Sequence, residues 1–434
     1  MTRKEVLLLF LTVILLTTGR STAGDWPHWR GPYLNGSSDE KNLPETWSET
    51  ENIAWTASLP GHGSATPIVA RGIVFVSSTD RESSDLLALC FDARTGKEVW
   101  RKKLGAFSRK VPRNNPATPS PVTDGKHVYF IYGSGDLASL DYDGNTLWSR
   151  NLEADYGNVS MKWGYSSSPL LYNGRLYILV QRRHTAYRAP ESTTLEAFIL
   201  AVDARTGKNI WKRPRKTDAQ NESLDAYSSP ILFQDSGRDE IIVVGSDYVT
   251  SNSAATGNEF WRYEYAMQKS TRGRIITSPV TVEGLVMGVP PRGADGLLAI
   301  KSGSDGTLSN NHIAWRFDGP SPDCSTPLYY KGNLYVLADR KGGIVTCLDA
   351  RTGRQKWQGK LGGSAPWWAS ITAGDDKLYC ISEAAEAVVL AAGDEGFKIL
   401  HRVDMGDKPI QASIAIADGR LFIRTTSKLF CVGN

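Results

Sequence analysis

The stretch Ser325–Trp357, STPLYYKGNLYVLADRKGGIVTCLDARTGRQKW, decides the fold, because it reads as four short strands and it recurs along the chain. A Ser/Thr-Pro start leads into an apolar segment, a turn at Gly332 and a second apolar segment. A third segment ends at Leu348-Asp349, and a fourth closes on Trp357 after the turn ARTGR. Apolar and small residues alternating around a glycine make a hairpin. Asp bonds its own downstream backbone and Gly takes the positive φ that closes a turn, so ARTG is turn chemistry. Further copies start at Ala65 (ATPIVARGIVFV), Ala117 (ATPSPVTDGKHVYF), Ser167 (SSPLLYNGRLYILV), Ser228 (SSPILF) and Thr277 (TSPVTVEGLVMGV).

Starts that recur roughly every fifty residues, each heading four strands, predict the blades of an all-β propeller. Trp100, Trp148, Trp211, Trp261, Trp315 and Trp357 recur at the fourth-strand position and are expected between neighbouring blades. NIAWTASL around Trp55 matches only a fourth strand, whereas the C-terminal ASIAIADGRLFIRTTSKLFCVGN matches only the first three. Joined, they complete one blade from both chain ends and remove two exposed sheet edges. A degraded copy over Trp368–Leu400 keeps the hairpin in WWASITAGDDKLYCIS but has Leu400 where Trp is expected. The count is an eight-bladed β-propeller of four-stranded antiparallel blades, or seven if that degraded copy is not a blade. The propeller occupies 52–434, after a lead-in over 24–51.

Residues 1–23 read as a cleavable secretory signal: Arg3 and Lys4 precede an apolar run from Val6 to Leu16, and small residues follow at Ser21 and Ala23. That run is shorter than the roughly 20 residues that cross a bilayer. With no Cys beside the expected cut, a lipid anchor has no acceptor, so the expected product is an unanchored periplasmic or secreted protein without membrane insertion. Net charge is +4, falling to +2 once Arg3, Lys4, Arg20 and Glu5 leave with the signal. Nothing in that balance calls for nucleic acid. Five Cys in an exported chain invite a disulfide reading. Yet Cys90, Cys347 and Cys431 fall at one repeat position, where another copy has Ala201, which is a small buried slot.

The pattern Ala/Cys-x-Asp-x-x-Thr-Gly-x-x-x-Trp is intact over 90–100, 201–211 and 347–357. It resembles the tryptophan-docking motif of the pyrroloquinoline-quinone (PQQ)-like repeat family, and the resemblance runs from about Asn52 to Asn434. DWPHWRGPYLNGS, Asp25–Ser37, is similar to the lead-in of secreted bacterial PQQ-like proteins and is expected to pack on the ring. The resemblance implies one of two roles. Quinoprotein dehydrogenases hold PQQ and calcium over the ring axis, and their near relatives carry a vicinal Cys pair that this chain lacks. BamB-like scaffolds use the same ring, without cofactor, to bind protein segments.

Loops preceding successive blade starts share one face of a propeller. Here they carry RKVPRNN, MKWGYS, ESLDAY, STRGR, PDC and APWW. Arg113, Asn115, Trp163, Tyr165, Asp225, Arg274, Asp323, Trp367 and Trp368 from these loops could hold a flat anionic aromatic ligand, of which PQQ is one, by stacking and charge-assisted bonds. The alternative is that they are solvated loop residues and blade-contact aromatics. For calcium, Asn115, Asp225 and Asp323 are the only oxygen set near that mouth. No catalytic residue and no metal site is assigned. Asp141 and Asp143 in DYDGN form a turn, and the six His show no ligand spacing. TGK at 95–97 and 206–208 lacks the flanking residues of a phosphate loop, and no GxSxG elbow occurs. Cys324 is either a reactive thiol or a half-buried bystander. The insertion QRRHTAYRAPESTTLEA offers Arg182, Arg183, Tyr187 and Arg188 to an acidic partner or glycan, or is unconstrained. The leading expectation is an exported, monomeric, non-catalytic binding or scaffolding propeller, its partner a protein segment or glycan. A PQQ- and calcium-dependent dehydrogenase is the alternative, and a carbohydrate-binding propeller the third reading.

Overall fold

The computed structural model describes residues 24–109, 111–159, 161–182, 196–235, 237–265, 273–289, 296–340 and 342–433. The expected signal over 1–23, and Arg183, Tyr187 and Arg188 of the basic insertion, lie outside the described residues. Eight sheets form eight blades, not seven, each with four antiparallel strands, and the sheet of the fourth blade gains a short fifth, parallel strand at Gly306–Thr307. Numbered along the chain, blades I to VIII have innermost strands Ile68–Ala70, Val122–Thr123, Leu170–Tyr172, Ile231–Asp235, Val280–Val282, Leu328–Tyr330, Thr372–Gly374 and Ala415–Ala417. Blade VIII is completed by Ile53–Ser58, which pairs antiparallel with Lys428–Val432. The two chain ends therefore share a sheet and leave no open seam.

In every blade the fourth strand is bulged against the third at the same place, which aims one side chain at the next blade. The residue paired with each Trp is small: Cys90 with Trp100, Ala201 with Trp211, Cys347 with Trp357, Cys431 with Trp55. All five Cys are free thiols. The indoles then reach the turn of the following blade. Trp55 Nε1 donates to Ala93 O at 2.9 Å, Trp100 to Tyr142 O at 2.8 Å, Trp148 to Ala204 O at 2.9 Å and Trp357 to Gly393 O at 2.7 Å. The turn glycine serves a second purpose beyond its positive φ. A Cβ on Gly96, Gly207 or Gly353 would stand 2.5, 2.6 and 2.5 Å from Trp55, Trp148 and Trp315 respectively.

Register corrects one expectation about blade VII. His401, not Leu400, pairs with Val389 in the tryptophan position. Its Nε2 lies 2.8 Å from Trp47 O and its ring 5.8 Å from the Trp47 ring, so a residue of the lead-in takes the place of the next blade's turn.

The axis is closed by a second device. The N–H of Thr66 donates to Ser120 Oγ (2.9 Å), Ser120 to Ser168 (3.0 Å), Ser168 to Ser229 (2.8 Å) and Ser229 to Ser278 (2.8 Å). Ser278 donates to Thr326 (3.0 Å), Thr326 to Ser370 (2.9 Å), Ser370 to Ser413 (3.1 Å), and Ser413 back to Thr66 (3.1 Å). One hydroxyl per blade thus makes an unbroken ring. Six of the eight precede Pro, which forces the extended backbone this geometry needs.

The lead-in crosses the ring three residues further along the inner strands. Trp26 pairs with Val69, Thr123 N–H donates to Pro27 O, and Gly36 and Ser38 bracket Ala373. Arg30 is buried there, donating to Ile371 O (2.9 Å), Pro327 O (2.8 Å) and Asn35 O (2.8 Å).

Two stability predictions follow from this packing. Gly207→Val sets a branched Cβ against Trp148 at positive φ and should cost about 2–4 kcal/mol. Trp148→Phe, which loses the indole bond and the smaller ring but keeps an aromatic face on the glycine, should cost less, about 1–2 kcal/mol by chemical denaturation. Equal midpoints for the two would contradict the docking role of the glycine. Burial holds the His28 imidazole down at about 4. Its unfolded value is near 6.5, so its contribution is intact above that pH and is lost as pH falls toward 4. His28→Gln should remove about 2–3 kcal/mol of the acid destabilisation measured between those values, and an unchanged pH profile would contradict it.

Candidate axial binding site

The loops that precede the inner strands open onto a cavity of about 720 Å³ on the axis, floored by the hydroxyl ring. Trp29 of the lead-in also lines it, so the shaft is stopped at the far end. A shallower groove of about 930 Å³ continues from its rim past Arg81, Arg109 and Arg113.

The wall on the side of blades IV to VI is a network of charges. Arg274 Nη2 donates to Asp323 Oδ2 at 3.1 Å, and Arg340 donates to the same oxygen. Trp163 Nε1 donates to Glu222 Oε1 at 3.1 Å, Lys162 Nζ stands 3.4 Å from Glu222 Oε2, and Arg274 Nε 4.0 Å from Oε1. Burial works to raise the Glu222 carboxyl, but the Trp163 and Lys162 donors hold it below its ordinary value. Asp339, at the end of the second strand of blade VI, is fully buried. Its Oδ2 accepts the N–H groups of Asp323 (3.1 Å), Cys324 (2.5 Å) and Ser325 (3.2 Å), which pins the loop bearing Asp323. Burial outweighs those bonds and pushes its carboxyl up. Cys324 lines the cavity, where burial and then the Asp339 and Asp323 charges hold its thiol well above the usual range. It is a neutral thiol and not a nucleophile at neutral pH.

Of the residues singled out in the sequence, Arg113, Trp163, Arg274, Asp323 and Trp368 line the cavity. Asn115 lines the adjoining groove, its amide donating to Ser64 Oγ (2.8 Å) and accepting from Ala117 N–H (3.0 Å). Tyr165, Asp225 and Trp367 are buried behind the wall. Trp367 and Trp368 part because successive residues of an extended segment face opposite ways. Trp367 packs on Gly343 and donates to Gly362 O at 3.2 Å. Arg182 turns inward and donates to the carbonyls of Tyr156, Gly157, Asn158 and Glu196. Trp29, Tyr227, Arg340 and the hydroxyl ring also line the cavity without having been singled out. Only the ring had a sequence signal, in the repeated Ser/Thr-Pro.

Chemically the mouth suits an anion. Among the residues that line the cavity, Arg113, Arg274 and Arg340 outnumber the acid Asp323, and Trp163 and Trp368 offer flat faces. No group of three His, Cys, Asp or Glu side chains among the described residues is placed to hold a metal ion. Asp323 Oδ2 is committed to two guanidinium groups while its Oδ1 has no hydrogen-bond partner, the Asn115 carbonyl accepts from Ala117, and Asp225 is buried. The arginines and tryptophans of the mouth fit the carboxylates and flat rings of a quinone such as PQQ, whereas these three side chains fall short of the 6–8 oxygen ligands that calcium takes.

Comparison with known proteins agrees with the architecture. The family model described as outer membrane protein assembly factor BamB matches residues 37–197 and 195–366. Outer membrane protein assembly factor BamB of Burkholderia pseudomallei is 24% identical over 79% of this chain and 90% of its own length. BamB of Moranella endobia is 24% identical over 44% of this chain, and the match spans 41% of that relative. Tetrathionate hydrolase of Acidithiobacillus ferrooxidans is 21% identical over 73% of this chain and 74% of its own. Among solved structures, a europium-containing methanol dehydrogenase superposes with a TM-score of 0.68 at 10% identity, covering 95% of this chain and 98% of that one. BamB of Moraxella catarrhalis gives 0.62 at 12% identity, over 88% and 99%. With a matching family model that spans well over half its length, the chain belongs to the PQQ-like propeller family represented by outer membrane protein assembly factor BamB.

Proposed function

We propose that this chain is an exported, non-catalytic binding propeller that grips an acidic protein segment in its axial mouth. The observation that carries the reading is the wall around Asp323. Arg274 and Arg340 both donate to one oxygen of its carboxylate, in the wall of a tryptophan-faced cavity that carries three arginines, Arg113, Arg274 and Arg340. The adjoining groove past Arg81, Arg109 and Arg113 gives an extended segment a path outward. The relatives named as BamB support a scaffolding role, and the expected signal over 1–23 supports export.

A hexaglutamate peptide is the simplest probe. It should bind in a salt-sensitive way, hexalysine should not, and Arg113→Gln with Arg340→Gln should weaken binding about tenfold or more by titration calorimetry. Equal affinity for the two peptides would contradict the reading.

A second reading, a quinone-dependent dehydrogenase, is favoured by relatives such as the alcohol dehydrogenase (quinone) subunit of Gluconobacter oxydans, 26% identical over 51% of this chain. PQQ would be held by the arginines and tryptophans of the mouth and would supply hydride or electron acceptance. Alcohol- or aldose-dependent dye reduction with added PQQ and calcium would establish that reading and overturn ours. We expect none, together with thiol-reagent labelling of Cys324 at pH 8 at least about tenfold slower than a free thiol.

A further inference from the structure

The hydroxyl ring has an unspent half. Each of its eight oxygens accepts a backbone N–H from the neighbouring blade, but none of their O–H protons meets an acceptor among the described residues. A hydroxyl carries one donor besides its lone pairs, so eight donors are left over at one level of the axis. All eight side chains are nearly or fully buried, from 2% exposed at Thr326 to 6% at Ser168 and Ser370, and all line the cavity. Buried donors without partners cost free energy, and a protein that repeats the cost eight times around one axis has built a place for an acceptor.

A second observation gives that acceptor its charge. Pro327 and Ile371, whose carbonyls hold Arg30, directly follow Thr326 and Ser370 of the ring, so the guanidinium sits immediately beneath it. Arg30 is 1% exposed, its acceptors are all carbonyls, its Nε–H finds none, and among the described residues no carboxylate pairs with it. Burial without a counter-charge pulls its pKa down to about 9. The Trp29 ring, 5.5 Å away, and the three carbonyls offset part of the charge, and a buried cation with no carboxylate partner is stabilised further when an anion approaches. A water on the axis could accept the hydroxyl protons but must place two of its own, and the guanidinium below offers only donors.

We infer that the hydroxyl ring above Arg30 is an oxyanion seat, which takes a carboxylate, sulfate or phosphate group entering through the mouth and resting against an arc of neighbouring hydroxyls. This rests on the mouth being the ligand entrance. Two sources have that chemistry: a free inorganic anion, or the acidic group of the segment held at the rim.

Selenate is the probe, read by anomalous diffraction at the selenium edge from crystals of the full mature chain and by calorimetry. The expected result is a selenium peak on the axis at the level of Thr66, Ser229 and Ser370, and at least a tenfold weaker selenate affinity in Arg30→Met. Hexaglutamate that competes with selenate in wild type identifies the acidic segment as a source. Selenate binding that hexaglutamate leaves unchanged identifies the free anion. If Arg30→Met does not fold, the wild-type diffraction peak decides alone. Selenate found only at Arg274 and Arg340, with the axis holding water, overturns the seat while leaving the mouth as an anion site. Loss of hexaglutamate binding with selenate still on the axis instead overturns the segment reading and keeps the seat.

Discussion

Everything in this molecule depends on a ring of eight backbone N–H groups finding acceptors at the axis. The innermost strand of a blade is a sheet edge, and edges with unpaired backbone groups are unstable against water exclusion and against other chains. Here the N–H just ahead of each inner strand is satisfied by a hydroxyl of the next blade, from Thr66 through Ser413 and back, and the lead-in pairs with the edges at Val69, Thr123 and Ala373. The bonds run in one direction and close on themselves, so they tie each blade to the next around the whole ring. The same hydroxyls are the floor of the cavity, so what holds the ring together also defines what the ring can receive.

The rim is held by a different contact, an indole laid on a glycine and bonded to a turn carbonyl. Its failures are as informative as its successes. In blade IV, Trp261 donates to Glu240 within its own sheet at 3.1 Å, because blade V lacks the Asp-x-x-Thr-Gly turn. A two-residue strand, Gly306–Thr307, lies beside Trp261 instead and extends that sheet. In blade VII the indole is replaced by His401, which binds the lead-in. The lead-in is therefore part of the ring's outer fastening as well as its axial stopper.

The repeat made the architecture legible: Ser325–Trp357 contains every turn, the docking Trp and the hydroxyl, and register follows once the copies are aligned. Blade VII departs from the motif because its turn between the third and fourth strands is two residues longer, Val389 pairing with His401 where Cys347 pairs with Trp357, so the motif's spacing does not locate the docking position there. The site was legible only as a set of loops. Which side chain of a loop faces the cavity depends on local backbone direction, so Trp368 and Arg113 reach it while Trp367, Tyr165 and Asp225 turn away. Arg340 follows an unremarkable strand end, yet shares the Asp323 carboxylate with Arg274, which lies 49 residues before Asp323 in sequence. Such a pairing needs the ring closed before it can be seen.

The cationic mouth, the hydroxyl floor and the buried guanidinium all meet at one closed hydrogen-bond ring, and that ring can be measured directly. Native-state amide hydrogen exchange at the eight ring positions reports the free energy at which each N–H opens. A single cooperative ring predicts that Thr66, Ser120, Ser168, Ser229, Ser278, Thr326, Ser370 and Ser413 exchange with one common free energy, among the highest in the protein. Amides that open blade by blade at different free energies would contradict it.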